Sequence, residues 1–512
     1  MNRILTKIYP SVCNSGFLCN FAEKYGRMKK IVFFLLIMSF FVTNYAFSSN
    51  LDEEINIDQL EQLAKKEKVK KEKQPKDSIR RGWTFGVLPS IAYDADKGFQ
   101  GGLLGQVFYF GDGSTYPEYL HAFSAEVSYT TKHCGIFRFN YDSKYLIPNH
   151  RLTVDISYLP DAICDFYGFN GYQTVLNREW INQKKYPETY KSRAFYRSRR
   201  DILRIAADFS GNIAGNWYWN AGLGVYWFNI GSVNLAMINK GKKEENKLPE
   251  GVEGMYEKYI KWGILNEDEA KGGWHPYLRA GVTYDTRDRQ QNPNKGIYAD
   301  AFLTYTAAFG ALKAYNNLKF NFDFRHYVPV YQDRVLFAYR LSMQLTTAGK
   351  SPFYQNNIWN TLFIQRVTYE VLGGGNTTRG IARHRATANG FAFANVEFRF
   401  KLCKFSIKKE HFYIGMNPFF DGGIILQPYK LDKDEIIRNI QNNDPEFDLA
   451  ELDQYLVFDN PQIYRPHLSA GLGLKIAMND NFVLSVDWAV PFDKRDNANQ
   501  FTNFYVKMNY MF

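Results

Sequence analysis

The chain has 512 residues, a formal net charge of +11, and is 45% hydrophobic and 17% aromatic. Much of the basic excess falls in residues 1–48, and the remainder is spread thinly, without a compact patch, which argues against nucleic acid as a partner. Of the five cysteines, only Cys134, Cys164 and Cys403 lie beyond that stretch, an odd number that excludes a complete disulfide framework.

The first predicted element is "MKKIVFFLLIMSFFVTNYAFS" (Met28–Ser48). Two lysines, a short apolar run and a small-x-small ending form a secretory signal, too short for a transmembrane helix of about 20 residues. Residues 1–48 are therefore read as a leader and signal peptide with its start at Met28. Residues 49–81 read as a polar, charged linker containing "KKEKVKKEKQPK" (Lys65–Lys76), too short for a periplasmic domain of ordinary size.

From Gly82 onward the period changes to two. In "LFAYRLSMQL" (Leu336–Leu345), Phe337, Tyr339, Leu341, Met343 and Leu345 share one face, opposite Ala338, Arg340, Ser342 and Gln344. Near the end, Phe504, Val506, Met508, Tyr510 and Phe512 alternate with Asn503, Tyr505, Lys507 and Asn509. An apolar face opposite a polar one suits a sheet with lipid on one side and water on the other. Closing that sheet satisfies the backbone groups that lipid cannot. A large soluble β-sandwich has the same period and is the rival.

The pattern predicts an all-β fold over 82–512: a transmembrane antiparallel β-barrel of about 16 strands with long extracellular loops. The expected strands begin near Gly82, Gly98, Glu118, Cys134, His150, Lys191, Ala214, Gly273, Lys295, Asn316, Asp333, Gly390, Glu410, Ile463, Asn481 and Gln500. The long connections (159–190, 230–272, 347–389 and 428–462) all follow odd-numbered strands, so they share one side of the membrane. Two contain helical stretches, Glu253–Leu265 and Asp432–Leu456, read as lids in preference to binding surfaces or decoration.

Little points to reaction chemistry. His133 and Cys134 are adjacent but lack a second ligand pair, and no H-E-x-x-H or G-x-S-x-G pattern occurs. No metal, no cofactor and no enzymatic activity are expected.

One connection is different. "VLGGGNTTRG" (Val371–Gly380) places three glycines and one arginine in the sixth outward loop. "GGGNTTRGI" resembles the loop-six motif of the BamA/TamA superfamily of outer-membrane assembly barrels (the bacterial surface antigen family). Three further segments are similar to that family's: "YDTRDRQQNPNKGIY" (Tyr284–Tyr298), with Asp285, Arg287, Asp288, Pro293 and Gly296; "FFDGG" (Phe419–Gly423); and the closing strands ending in Phe512.

The resemblance implies that Gly373, Gly374, Gly375, Arg379, Gly380 and Ile381 fold into the lumen. Arg379 would be locked to Asp421 on the wall, with Glu397 the second candidate, since a guanidinium fork meets a carboxylate bidentately. Phe512 would belong to the C-terminal export signal. Ile381 stands where the family has an aromatic residue, Thr378 where a branched apolar one is common, and the last strand has no glycine. The family's periplasmic substrate-handling modules are not expected in 49–81.

The implied role is assembly, insertion or translocation of proteins at the outer membrane of a Gram-negative bacterium. Lipid, client proteins and periplasmic or lipoprotein partners would surround the barrel. A passive channel and a structural subunit of a larger outer-membrane complex are the alternatives.

Overall fold

The computed structural model describes residues 80–512 apart from 95–96, 117, 291, 332–333, 360–369, 408–409, 479–481, 499–502 and 509–511. The signal at Met28–Ser48 and the linker up to residue 79 lie outside the described residues.

The first two strands, β1 (Trp83–Pro89) and β2 (Ala92–Asp94), both pair with β3 (Gly98–Tyr109) and form two parts of one bent stave. Next come β4 (His121–Thr130), β5 (Gly135–Ile147), β6 (His150–Asp165), β7 (Arg197–Ala214), β8 (Trp217–Gly231) and β9 (Gly272–Asp285). The second half comprises β10 (Gly296–Thr306), β11 (Asn317–Tyr331), β12 (Val335–Gly349), β13 (Gly390–Ile407), β14 (Glu410–Gln427), β15 (His467–Met478), β16 (Phe482–Pro491) and β17 (Asn503–Met508). From β2 onward each strand is antiparallel to the next, and β17 returns to β2. With β1 and β2 as one stave, the barrel is closed and has sixteen strands, as the sequence pattern predicts.

The alternation in the sequence becomes two environments. On β12, Leu336, Ala338, Arg340, Ser342 and Gln344 are buried toward the lumen, whereas Leu341 is 48% exposed on the outside. Exposed Leu103, Val127, Leu223, Leu278, Leu303, Leu472 and Leu474 continue the apolar outer surface. Lipid covers such a surface.

The four long connections, now 166–196, 232–271, 350–389 and 428–466, follow the fifth, seventh, eleventh and thirteenth staves. The expected parity holds. The largest boundary shift is at the sixth stave, which starts at Arg197, not Lys191; the starts expected at Glu118, Ala214 and Ile463 move to His121, Trp217 and His467. Lys191 and Ser192 instead donate their backbone N–H groups to the Trp180 carbonyl, and Phe195 and Tyr196 enter an apolar cluster.

That cluster is a second core, built from the long connections packed on Ile202, Phe228 and Ile230 of the wall. The loop helices α1 (Leu235–Asn239), α2 (Met255–Lys261), α3 (Glu267–Lys271), α4 (Phe353–Asn356) and α5 (Lys433–Asn443) lie in the long connections. Met255, Tyr259, Trp262, Phe353, Ile436 and Tyr455 pack into one buried group. The Trp262 indole N–H donates to Asp444 at 3.2 Å, joining α2 to the residue after α5. The expected helical stretches thus form a packed cap at the long-loop end.

Candidate functional site

The segment 370–385 leaves β12 and folds back against the wall. Val371, Leu372, Ile381 and Ala382 are buried, so the chain enters as an apolar lining that carries polar groups at chosen points. Gly373, Gly374 and Gly380 have φ of 108°, 113° and 86°, in the left-handed region that glycine alone adopts freely. At Gly373 a side chain would also collide with the Ala382 carbonyl. Gly375 is needed for closeness instead: an added Cβ would lie 2.7 Å from both Lys507 Nζ and a Tyr505 ring carbon. Thr378, in a position typically apolar in the resembled family, accepts the Gly373 N–H on its Oγ1 at 2.7 Å, which ties the turn to itself.

Arg379 is fully buried. Its Nε and Nη2 donate to the two carboxylate oxygens of Asp421 at 2.8 and 3.0 Å, and its backbone N–H reaches Asp421 at 3.0 Å. This is the bidentate fork that lysine cannot supply. Nη1 lies 2.9 Å from Glu397 Oε1 as an ion-pair contact and donates to Asp487 Oδ2 at 3.3 Å. The guanidinium carbon stands 3.3 Å from the centre of the Phe419 ring, a cation–π contact.

The network extends beyond those pairs. Asn395 donates to Asp421 at 2.9 Å and to the Thr377 carbonyl at 2.7 Å. Lys475 bonds Asp487 at 2.5 Å, and Arg399 donates to Glu397 at 2.9 Å. Three carboxylates therefore face three cations inside the barrel, so the buried charge is balanced. Asp421 and Glu397 were legible from the sequence. Asp487 was missed; the signal was a single acid on the inward face of "VLSVDWAV", between Ser485 and Ala489.

Two more loop-six arginines also escaped the sequence reading. Arg383 donates to Asp165 and to Asp161, each at 2.8 Å. Arg385 donates to the carbonyls of Gly171, Thr174 and Arg495. The run "GIARHRATANG" contained the hint, since Arg383, His384 and Arg385 stand together among small residues.

The other predicted residues sit elsewhere. In the connection from β9 to β10, Arg287 grips Asp285 at 2.9 and 2.8 Å and lies 4.3 Å from the Tyr298 ring centre. Asp288 accepts the backbone N–H groups of Asn294 and Lys295, Pro293 is buried, and Gly296 has a φ of 104°. These residues build a turn, and their contacts do not include Arg379.

Phe512 departs from the alternation, which would set it outward like Phe504. It is buried in the lumen beside Tyr327, Leu336 and Ala338, and its carbonyl accepts from Arg399 at 2.9 Å. Arg399 holds both this residue and Glu397.

A closed barrel with an apolar exterior, a charged lumen and an inward arginine-bearing loop is an outer-membrane β-barrel. Residues 122–512 match the model of the Omp85 superfamily domain, and the chain belongs to that superfamily. Its members serve protein assembly or translocation at the outer membrane. No curated protein sequence matches the chain. Among solved structures, BamA from Haemophilus ducreyi lacking POTRA domains 1–3 is similar at 13% identity over 84% of this chain and 70% of that one, with a TM-score of 0.47. CdiB from Escherichia coli is similar at 10% identity over 83% of this chain and 62% of that one, with a TM-score of 0.48. CdiB from Acinetobacter baumannii gives 11%, 84% and 60%, with a TM-score of 0.42. The family statement rests on the sequence match.

Proposed function

We propose that this barrel inserts or translocates other proteins at the outer membrane, using the β2–β17 seam as the edge at which an incoming strand pairs. The seam itself carries the reading. Tyr505 pairs with Asp94 and Val506 with Tyr93, and these are the register pairs among the described residues there. By contrast, β12 and β13 pair continuously from Val335↔Phe400 to Gln344↔Phe391. A strand edge offers unpaired N–H and C=O groups that template a new strand, so a junction with two register pairs among the described residues is the least costly place to part the wall. No covalent chemistry is required.

In this reading the Arg379–Asp421 pair is an internal lock. It keeps loop six against β13, β14 and β16 while the seam moves. Client proteins arrive from the periplasmic side, delivered by a periplasmic or lipoprotein partner, and Phe512 belongs to the signal by which the barrel itself is exported.

Depletion of the protein followed by an inventory of outer-membrane proteins tests the proposal. Broad loss of other barrels or of exported proteins is the expected result. Loss of one solute's uptake alone would instead support a passive channel, and loss of one named assembly a structural subunit.

A further inference from the structure

Loop six touches both edges of the seam. On one side, Lys97, in the turn between β2 and β3, places Nζ 2.5 Å from Glu370 Oε1. On the other, Lys507 of β17 donates to Asn376 Oδ1 at 2.8 Å and to the Gly375 carbonyl. The two halves are joined within the loop, because the Asn376 N–H donates to Glu370 Oε2 at 2.9 Å. Further along, the Gly380 N–H donates to the Tyr505 hydroxyl at 3.1 Å, and Asn503 donates to the Gly380 carbonyl at 3.4 Å. Glycine at 375 permits this approach, since a Cβ there would meet Lys507, Tyr505 and Asp94 together.

We propose that Glu370–Asn376 is a clasp for the seam: Glu370 holds the β2 side through Lys97, and Gly375 and Asn376 hold β17 through Lys507. The two edge strands are then joined through the loop as well as through their own pairing at Tyr505 and Val506. The geometry explains why a buried carboxylate stands where nothing in the Arg379 network uses it. The Glu370 side chain is 1% exposed and that of Lys97 28% exposed, so the pair is shielded from water on one side and reachable on the other. An interaction with one partner near solvent can be released without unpacking the loop. The charged groups nearest the clasp are Asp94, Lys97 and Lys507, with Asp487, Arg379 and Arg383 beyond them. The inference rests on an openable seam, but its test needs no client.

Tyr93 and Val506 face each other across the seam, and directly opposed residues have Cβ atoms roughly 4.5–5.5 Å apart. A Tyr93→Cys/Val506→Cys pair, in a Cys403→Ser background, should therefore form a disulfide at a rate that reports closure. In the full-length barrel in lipid vesicles, Glu370→Gln and Lys97→Met should each slow that crosslinking at least threefold, with the double variant little slower than either. Only the heat-modifiable, folded fraction is scored. If Glu370→Gln does not fold, the milder Lys97→Met decides. Unchanged crosslinking in folded Lys97→Met overturns the clasp, as does additive slowing in the double variant. Either result leaves the depletion experiment standing, and a negative depletion result leaves the clasp standing.

Discussion

The wall behind Arg379 and the neighbouring seam are made from the same parts, yet they are fastened differently. At the wall, one guanidinium meets Asp421, Glu397 and Asp487, with all four side chains almost completely buried. At the seam, backbone pairing is described only at Tyr505 and Val506, and the ion pair that bridges it has Lys97 partly in water. A buried charge network is costly to break because each group left behind loses both partner and solvent. A partly wet pair is cheaper to release. The same loop is thus anchored where it must stay and lightly fastened where the wall must part.

The largest effect should come from the anchor. Removing one member of a buried ion pair costs about 3–5 kcal/mol. Arg379→Ala and Asp421→Ala should each destabilise the barrel in that range, measured by loss of heat-modifiability against denaturant. The double variant should be little worse than either, because the survivor of each pair has already lost its purpose. Additive effects would show that the two side chains do not work together, and the contrast between anchor and seam would fall.

How much of this contrast was legible beforehand differs by residue. Strand starts at Gly98, His150, Gly390 and Glu410 follow from alternation and turn chemistry, both local signals. Asp421 follows from a short motif. Asp487 could be found only by knowing which face of β16 points inward. The Lys97–Glu370 pair joins residues 273 positions apart, and no local pattern marks either one. The strand expected from Lys191 begins only at Arg197, because Lys191 lies over the Trp180 ring and Phe195 and Tyr196 pack into the cap cluster. Local rules find elements, while contacts between distant loops depend on closure of the whole wall.

A smaller effect sharpens the anchor. Glu397 is held by both Arg379 and Arg399, whereas Asp487 is held by Lys475 and more distantly by Arg379. A hydrogen bond to a charged group is worth about 1.5–3 kcal/mol. Asp487→Asn, which keeps the shape and some of the bonds, should cost less than Asp421→Asn in the same denaturant assay. Equal costs would mean that the bidentate fork has no special weight.

Phe512 gives a readout of yield rather than stability. Its ring and carbonyl both meet Arg399, so Phe512→Ala loses packing against Tyr327 and Leu336 as well as the aromatic residue of the proposed export signal. Folded protein in the outer membrane should fall and the periplasmic pool rise, with Arg399→Lys giving a weaker version. Normal yield of Phe512→Ala in the outer membrane would remove this residue from the signal.

The smallest effect lies in the cap, far from the seam. Glu269 on α3 is 5% exposed and accepts hydrogen bonds from the Tyr315 hydroxyl and the Phe353 N–H, each at 2.7 Å. Burial pushes its carboxyl above the ordinary value of 4.5, and these two bonds with nearby Lys350 only partly oppose the rise. An acid whose pKa is raised in the folded state stabilises that state fully below its unfolded value, and the contribution is lost as pH rises through the folded value. A tenfold difference in proton affinity between the folded and unfolded chain corresponds to about 1.4 kcal/mol of stability. The cap should therefore loosen as pH rises above 4.5, seen as faster thermolysin cleavage within 232–271 between about pH 5 and 8, normalised to an unfolded control. Glu269→Gln has no proton to lose and should flatten that slope while leaving seam crosslinking unchanged. Equal slopes in the two proteins would show that Glu269 is not the group that titrates, and a change at the seam would show that cap and seam are coupled rather than separately fastened.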